Sequence, residues 1–337
     1  MRKSTKNILI SSGVAATTMA MIAGAAVSAS KYFMKIALDR EMPKSTGKGK
    51  SRLTGSAKLE EVSREINENA AKFESVEGIE QIEILTKDEI TLVGHWYPAP
   101  DAKRIIVAMH GWRSSWSKDF SIISEFWHNS GCSVLYAEQR GQNNSGGDYM
   151  GFGMLERHDC AEWVNWVNEK TEGTLPIYLA GVSMGAATVL MASGLPLPEN
   201  VHGIMADCGF TSPHAIWKHV AEKNLHLSYG IIGKIASDMC RKKINMGPGD
   251  YSTTFALANT DIPVIFVHGS DDKFVPIEMT YENYKACASP KRLVVIPGAE
   301  HGMSYYVDKE TYEKEMLLFW QDFDSVAPQK KEQSENE

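Results

Sequence analysis

The chain has 337 residues, of which 43% are hydrophobic and 23% are charged, and its formal net charge is −7. This composition is typical of a soluble protein with a sizeable core, arranged as one large or two small domains. The charge is uneven, because residues 1–58 carry +9 and the remainder carries about −16. An acidic body argues against nucleic acid as a partner. The five cysteines and ten histidines show no ligand spacing, so we expect no cofactor, no metal site and no disulfide framework.

The N-terminal segment is predicted to lie outside the globular fold. Three basic residues precede an uncharged stretch at 8–30, which is long enough to cross about 30 Å of hydrocarbon as a helix. Residues 1–30 are therefore expected to form a single-pass membrane anchor, with the C-terminal body outside the cytoplasm. A cleaved secretory signal ending near 27–29 is the alternative, and the length of the span favours the anchor. Residues 31–58 are expected to be a basic, flexible tether near anionic lipid headgroups.

Strands and helices are predicted to alternate between residues 59 and 325, followed by a disordered tail at 326–337. The predicted strands are Ile79–Leu85, Ile90–Tyr97, Arg104–Met109, Ser133–Ala137, Ile177–Ala180, Val201–Ala206, Ile262–Val267 and Leu293–Ile296. The helices between them are predicted at Ser117–Asn129, Leu155–Glu169, after Ser183, at Ile277–Ala288 and at Lys309–Phe323. Short apolar runs separated by helices predict a mostly parallel, eight-stranded sheet with helices on both faces. Residues 212–257 interrupt the alternation and are expected to form a small helical lid over the strand ends.

The most informative motif is Gly181-Val182-Ser183-Met184-Gly185, between a predicted strand and a helix of small residues. In that setting the serine occupies a sharp, strained turn that exposes its hydroxyl above the sheet. The glycines on either side are needed because a Cβ there would collide with the neighbouring strand or helix. Taken alone, the pattern also fits a serine near a helix N-cap. With its strand and helix, it predicts Ser183 as a nucleophile.

A nucleophilic serine needs a base to accept its proton and an acid to orient that base. Asp271 and Asp272 follow a predicted strand, and only one of them can face inward, while the other is expected in the turn. His301 follows the last predicted strand in a glycine-flanked loop and is the candidate base. Because open α/β sheets place their sites at the carboxyl ends of strands, we expect these groups to meet Ser183 there.

An oxyanion hole requires two backbone donors beside the nucleophile. The N–H of Met184 at the start of the predicted helix is one candidate. The N–H of Trp112 is the other, since Gly111 permits a tight turn after the strand that ends at Met109. His110 is expected to be a structural loop histidine.

Four motifs together make the chain resemble the α/β-hydrolase superfamily over residues 75–325. They are His110-Gly111-Trp112 as the oxyanion loop, Gly181–Gly185 as the nucleophile elbow, His268–Pro276 as the acid loop and Gly298–Gly302 as the histidine loop. Within that superfamily the chain most resembles bacterial serine hydrolases that are grouped with serine aminopeptidases and lysophospholipase-like esterases. Some of these proteins carry an N-terminal membrane segment. The acid-loop pattern implies Asp272 rather than Asp271. A fifth motif, at 138–145, is only partly kept, with Asn143 in place of a glycine.

The predicted reaction is hydrolysis of a small-molecule acyl ester through Ser183, His301 and Asp272. A carboxylesterase- or lipase-like activity is favoured over the alternative of a serine peptidase. A non-catalytic, membrane-tethered binding protein is the third interpretation, and Ser183 argues against a dehalogenase or epoxide hydrolase. Trp112 and the lid residues Trp217 and Tyr229 are candidate substrate contacts for a medium apolar group, although packing under the lid explains them equally well. A lipid-like ester is among the candidates because of the predicted anchor.

Overall fold

The computed structural model describes residues 24–43 and 58–325 of the chain. Its strands are β1 (Glu80–Leu85), β2 (Thr91–Tyr97), β3 (Arg104–Met109), β4 (Cys132–Ala137), β5 (Ile177–Val182), β6 (Val201–Asp207), β7 (Val264–Gly269) and β8 (Lys291–Ile296). Its helices are α1 (24–38), α2 (Lys58–Phe73), α3 (Trp116–Asn129), α4 (Glu156–Lys170), α5 (Met184–Ala192), α6 (Pro213–His219), α7 (Tyr229–Ile244), α8 (Thr253–Ala258), α9 (Ile277–Ala286), α10 (Ser304–Val307) and α11 (Lys309–Phe323).

The eight strands form one sheet in the order β1-β2-β4-β3-β5-β6-β7-β8. The β1–β2 and β2–β4 pairs are antiparallel, and every other pair is parallel. All residues of β3, β4 and β7 are buried, as expected for strands covered on both faces. The predicted eight-stranded, mostly parallel sheet with flanking helices is therefore confirmed.

Alternation of side chains along the strands divides the core into two layers. Val107 of β3 faces the layer that includes Trp163 of α4. Its neighbour Ile106 faces the opposite layer, with Phe120 of α3 and Trp320 of α11. Successive strand residues point to opposite faces, so the helices on either side each receive an apolar surface to cover.

A third apolar cluster joins α1 to the lid and to the start of α5. It includes Met34 and Leu38 of α1 together with Trp217, Met184 and Phe210. The structure thus differs from the predicted flexible tether, since residues 31–38 are helical and packed. The apolar side chains at 33, 34, 37 and 38 follow helical spacing, while Lys31, Lys35 and Arg40 are exposed. Lys31 and Lys35 thus occupy the solvent face of an amphipathic helix.

The remaining N-terminal predictions concern segments that the structure does not describe. The described residues omit positions 1–23, 44–57 and 326–337. These positions include most of the predicted anchor (1–30), most of the predicted tether (31–58) and the whole predicted tail. Among the residues that are described, no helix combines the length and apolar character needed to span a bilayer.

The predicted lid region is helical and begins and ends with capped helices. Ser212 accepts a hydrogen bond from the N–H of Ala215 at the start of α6, and Ser252 accepts one from Phe255 at the start of α8. A π-helical turn, Val220–Asn224, connects α6 to the loop before α7. These caps satisfy helix-terminal N–H groups that otherwise lack partners, which fixes the insertion at the strand edge.

Candidate active site

Ser183 lies between β5 and α5 in a backbone conformation that residues other than glycine rarely adopt. Its φ is 56° and its ψ is −115°, which costs on the order of 1–3 kcal/mol. The flanking glycines make the turn sterically feasible. A Cβ at Gly181 would overlap the backbone of Gly185, and a Cβ at Gly185 would overlap the carbonyl oxygen of Met109. The tight β5–α5 turn therefore holds the serine at the carboxyl edge of the sheet.

The structure brings Ser183, His301 and Asp272 into one hydrogen-bonded chain. His301 Nε2 lies 2.9 Å from Ser183 Oγ, and His301 Nδ1 lies 2.6 Å from Asp272 Oδ2. His301 is in the loop after β8, and Asp272 is in the loop after β7. This arrangement allows the imidazole to accept the serine proton while the carboxylate holds the ring in position.

Asp272, rather than Asp271, is the carboxylate that faces His301. Its Oδ1 accepts hydrogen bonds from the N–H groups of Phe274 and Val275, both at 2.9 Å. Asp271 is exposed and accepts a hydrogen bond from Ser270 Oγ. The two neighbouring acids thus divide between an inward site and a surface turn.

The electrostatics of the pair favour an ionised Asp272 and a basic His301. Burial acts to raise the pKa of Asp272, but the charge of His301 and hydrogen bonds from His268 and His301 place this pKa well below its usual value. Burial acts to lower the pKa of His301, whereas the charge of Asp272 and its hydrogen bond raise it, and the balance is well above 6.5. Burial also raises the pKa of Cys208 to about 11, so its thiol is uncharged at neutral pH. The Asp272 carboxylate is therefore the charge that stabilises the imidazolium.

Three buried groups beside Ser183, His301 and Asp272 are not among the predicted site residues. His268 Nε2 lies 3.2 Å from Asp272 Oδ2, and its Nδ1 lies 2.6 Å from Thr280 Oγ1. Asp207 is the last residue of β6 and accepts a hydrogen bond from Ser304 Oγ, and burial raises its pKa to about 6. Cys208 lies close to Asp272 and His301. Its Sγ, a carboxylate oxygen of Asp272 and a ring nitrogen of His301 all lie within 4.8 Å of one another. The positions of Asp207 and Cys208 at a strand end were the signal available in the sequence.

The loop after β3 passes directly beside Ser183. A Cβ built on Gly111 would lie 3.5 Å from Ser183 Cβ. Gly111 N–H donates to Asp119 Oδ2 at 2.6 Å, and Arg113 N–H donates to Gln142 Oε1 at 2.5 Å. Between these anchored neighbours, the N–H of Trp112 has no hydrogen-bond acceptor within residues 24–43 and 58–325. The N–H of Met184 is likewise available, because the first N–H groups of a helix lack intrahelical partners.

His110 supports this loop and does not face Ser183. It is fully buried, its Nδ1 lies 2.8 Å from the Gly111 carbonyl oxygen, and its Nε2 accepts the Gln139 N–H at 3.1 Å. These partners require a proton on Nδ1 only. Burial lowers the pKa of His110, consistent with a neutral, structural ring.

The partly kept motif at 138–145 forms an ordered loop despite its changed residues. Glu138 accepts hydrogen bonds from His95 at 2.8 Å and from the N–H of Asn144 at 2.5 Å. Asn143, where the family pattern has glycine, has a φ of 49°. Asparagine tolerates this left-handed conformation better than most residues, so the substitution preserves the turn.

A cavity of about 280 Å³ adjoins Ser183. Its lining comes from α1, the oxyanion loop, α5 and the lid, and consists of Ala29, Tyr32, Phe33, Ile36, Ala37, Trp112, Phe152, Ser183, Met184, Phe210, Ile216, Trp217, Val220, Leu225, Leu227 and Phe274. The structure places two of the three predicted substrate contacts, Trp112 and Trp217, at this cavity. Tyr229 differs from that prediction, because its ring is buried beside His214 at the start of α7.

Comparisons with known proteins agree with this fold. Residues 100–246 match the family model described as serine aminopeptidase, S33. The chain is 25% identical to the uncharacterized protein YqkD of Bacillus subtilis over 264 residues, which cover 77% of this chain and 85% of that one.

Two solved structures share the architecture at low sequence identity. The esterase Pf2001 of Pyrococcus furiosus superposes with a TM-score of 0.61 at 20% identity, covering 73% of this chain and 92% of that chain. The α/β hydrolase GrgF of a Penicillium species superposes with a TM-score of 0.58 at 16% identity, covering 74% and 99%. Together with the sheet order and the β5–α5 turn, these likenesses show that the chain has the α/β-hydrolase fold.

Proposed function

We propose that the protein is a serine esterase that cleaves acyl esters through Ser183, His301 and Asp272. The observation that carries this proposal is the cavity beside Ser183, whose lining is almost entirely apolar. Apolar pockets with few polar groups suit acyl or aryl substituents. The esterase among the structural neighbours is consistent with this activity.

The proposed reaction proceeds in two acyl-transfer steps. His301 Nε2 takes the proton of Ser183 as the oxygen attacks the ester carbonyl, and the N–H groups of Trp112 and Met184 stabilise the oxyanion. His301 then donates that proton to the leaving alcohol, which leaves an acyl-enzyme on Ser183. Water, deprotonated by His301, attacks the acyl-enzyme and releases the acid. Asp272 keeps the ring oriented and stabilises its protonated form throughout.

Amide hydrolysis is the second candidate, because the matched family model is that of a serine aminopeptidase. An aminopeptidase must hold the free ammonium group of its substrate, and a carboxylate is the usual partner for that charge. Among the described residues, the cavity lining contains neither Asp nor Glu. Burying an unpaired ammonium there would cost several kcal/mol, so the cavity favours an ester with an apolar acyl group.

Membrane attachment through the part of the predicted anchor that precedes α1 (24–38) remains our proposal for the location of the enzyme, with the catalytic domain outside the cytoplasm. Secretion after signal cleavage is the alternative. Protease treatment of intact cells distinguishes these arrangements from an internal domain. Cleavage of the domain, or its release to the medium, supports export, while full protection of the domain contradicts it.

The activity is tested with purified protein on p-nitrophenyl esters and aminoacyl p-nitroanilides. We expect turnover of the esters, a preference for medium chains, and much slower cleavage of the anilides. The Ser183→Ala variant is the control for background hydrolysis. Faster cleavage of the anilides would favour the peptidase, and ester turnover that survives Ser183→Ala would contradict the proposal.

A further inference from the structure

Helix α1 forms one side of the substrate cavity. Ala29, Phe33, Ile36 and Ala37 line it from positions that share one helical face. The Phe33 ring packs edge-on against Trp217 of the lid, with ring centroids 6.0 Å apart. The cavity is therefore enclosed between α1 and the lid, and its shape depends on a segment far from the triad in the sequence.

The C-terminal end of α1 is bound to the oxyanion loop through its last carbonyl groups. Arg113 Nη2 donates to the Ile36 carbonyl oxygen at 2.8 Å, and Trp112 Nε1 donates to that of Ala37 at 3.1 Å. The N–H of Met150 donates to the Leu38 carbonyl oxygen at 2.8 Å. Helix-terminal carbonyls lack partners of their own, and a guanidinium at this end also interacts favourably with the negative end of the helix dipole. The position of α1 is thus coupled to the loop that carries a proposed oxyanion donor.

These contacts also define a direction along the cavity. Of the α1 residues that line the cavity, Ala37 is the one whose carbonyl oxygen accepts the Trp112 hydrogen bond. Ala29 lies eight residues earlier, about 12 Å away along the helix axis. An acyl group whose carbonyl is at Ser183 would extend from the Ala37 end towards Ala29. At about 280 Å³, the cavity is at the small end of ligand pockets, which suits a medium-length chain.

We propose that α1 is the wall that sets acyl-chain length, with Ile36 and Ala29 as its specificity-determining residues. This proposal rests on the proposed esterase function and assigns the acyl-binding site to a segment predicted to be a tether or an anchor. Acyl chains long enough to pass Ala29 extend beyond the cavity and gain no further contact with it. Acyl chains that end before Ala29 do not contact that residue.

The test compares p-nitrophenyl butyrate, octanoate and dodecanoate in full-length variants. Ala29→Phe narrows the far end, so we expect the dodecanoate rate to fall relative to butyrate, by roughly fourfold per excluded methylene. Ile36→Ala widens the cavity and should shift the preference to longer esters. Ser28→Phe adds the same side chain at an exposed neighbouring position and should leave the profile unchanged. A folding defect would lower all three rates together and leave their ratios unchanged.

Binding separates this proposal from the proposed function. In a Ser183→Ala background, dodecanoate affinity is measured by intrinsic tryptophan fluorescence, since Trp112 and Trp217 line the cavity. Weaker dodecanoate binding by the Ala29→Phe variant supports the proposal that α1 limits acyl-chain length, even if the wild-type protein cleaves no ester. An unchanged rate profile together with unchanged dodecanoate affinity in both α1 variants would overturn it.

Discussion

The proposed catalytic edge and the proposed substrate cavity of this protein are built by different means. The proposed catalytic edge consists of the loops after β3, β5, β7 and β8, and in it Ser183, Asp272 and His301 are fixed by backbone geometry and short hydrogen bonds. The cavity is enclosed by α1 and the lid, which meet through apolar packing. This difference implies that changes at the edge affect all substrates alike, while changes in the cavity affect substrates according to their size.

The largest expected effect is at the nucleophile. Ser183→Ala should lower kcat on p-nitrophenyl octanoate by about a millionfold, because only uncatalysed and binding-assisted hydrolysis remain. Stopped-flow and long-time assays measure the two proteins, and thermal unfolding checks that the variant is folded. If the loss were confined to long-chain esters, Ser183 would belong to the cavity and the comparison would fail.

The next effect is at the acid. Asp272→Asn should lower kcat by about ten-thousandfold, because the amide cannot stabilise the His301 imidazolium. Asp271→Asn is the matched control, since its side chain is exposed and directed into the surface turn. Equal losses in the two variants would contradict the assignment of Asp272.

The pH dependence gives a smaller, graded effect. His301 acts as a base only when neutral, and its pKa is raised well above 6.5, so kcat/KM should increase with pH and level off above that pKa. At pH values below the midpoint of this profile, kcat/KM should fall by about tenfold per pH unit. In Asp272→Asn, loss of the carboxylate should move the midpoint to lower pH. A wild-type midpoint below 6.5, or no shift in the variant, would contradict the electrostatic account.

The smallest expected effect is at the contact between the two regions. Arg113→Ala removes the donors to the carbonyl oxygens of Ile36 and Asp39 and should lower the free energy of unfolding by about 1–3 kcal/mol. We expect a several-fold loss of kcat, because α1 and the oxyanion loop lose their shared contacts. Lys35→Ala, on the exposed face of α1, should change neither quantity. Equal unfolding free energies for Arg113→Ala and the wild type would show that the Arg113 hydrogen bonds do not stabilise the position of α1.

The same division explains what the sequence could predict. The turn at Ser183 is local, and its glycines leave a short, readable pattern. The assignment of Asp272 rather than Asp271 as the acid depends on the family motif, because both residues follow the same strand and suit a turn equally well. Helix α1 was not predicted as part of the fold, because its partners Trp112 and Arg113 lie more than 70 residues away. Tyr229 does not line the cavity, and the sequence could not indicate this, because composition places an aromatic residue in the lid without showing which face it occupies.

The central claim is that His301 makes Ser183 reactive, and covalent labelling tests it most directly. The protein is treated with an excess of a fluorophosphonate probe, and the modified peptide is identified by mass spectrometry. The account predicts one adduct per chain, on Ser183, with labelling strongly slowed in His301→Ala and absent in Ser183→Ala. A wild-type protein that stays unmodified, or an adduct on another residue, would contradict it.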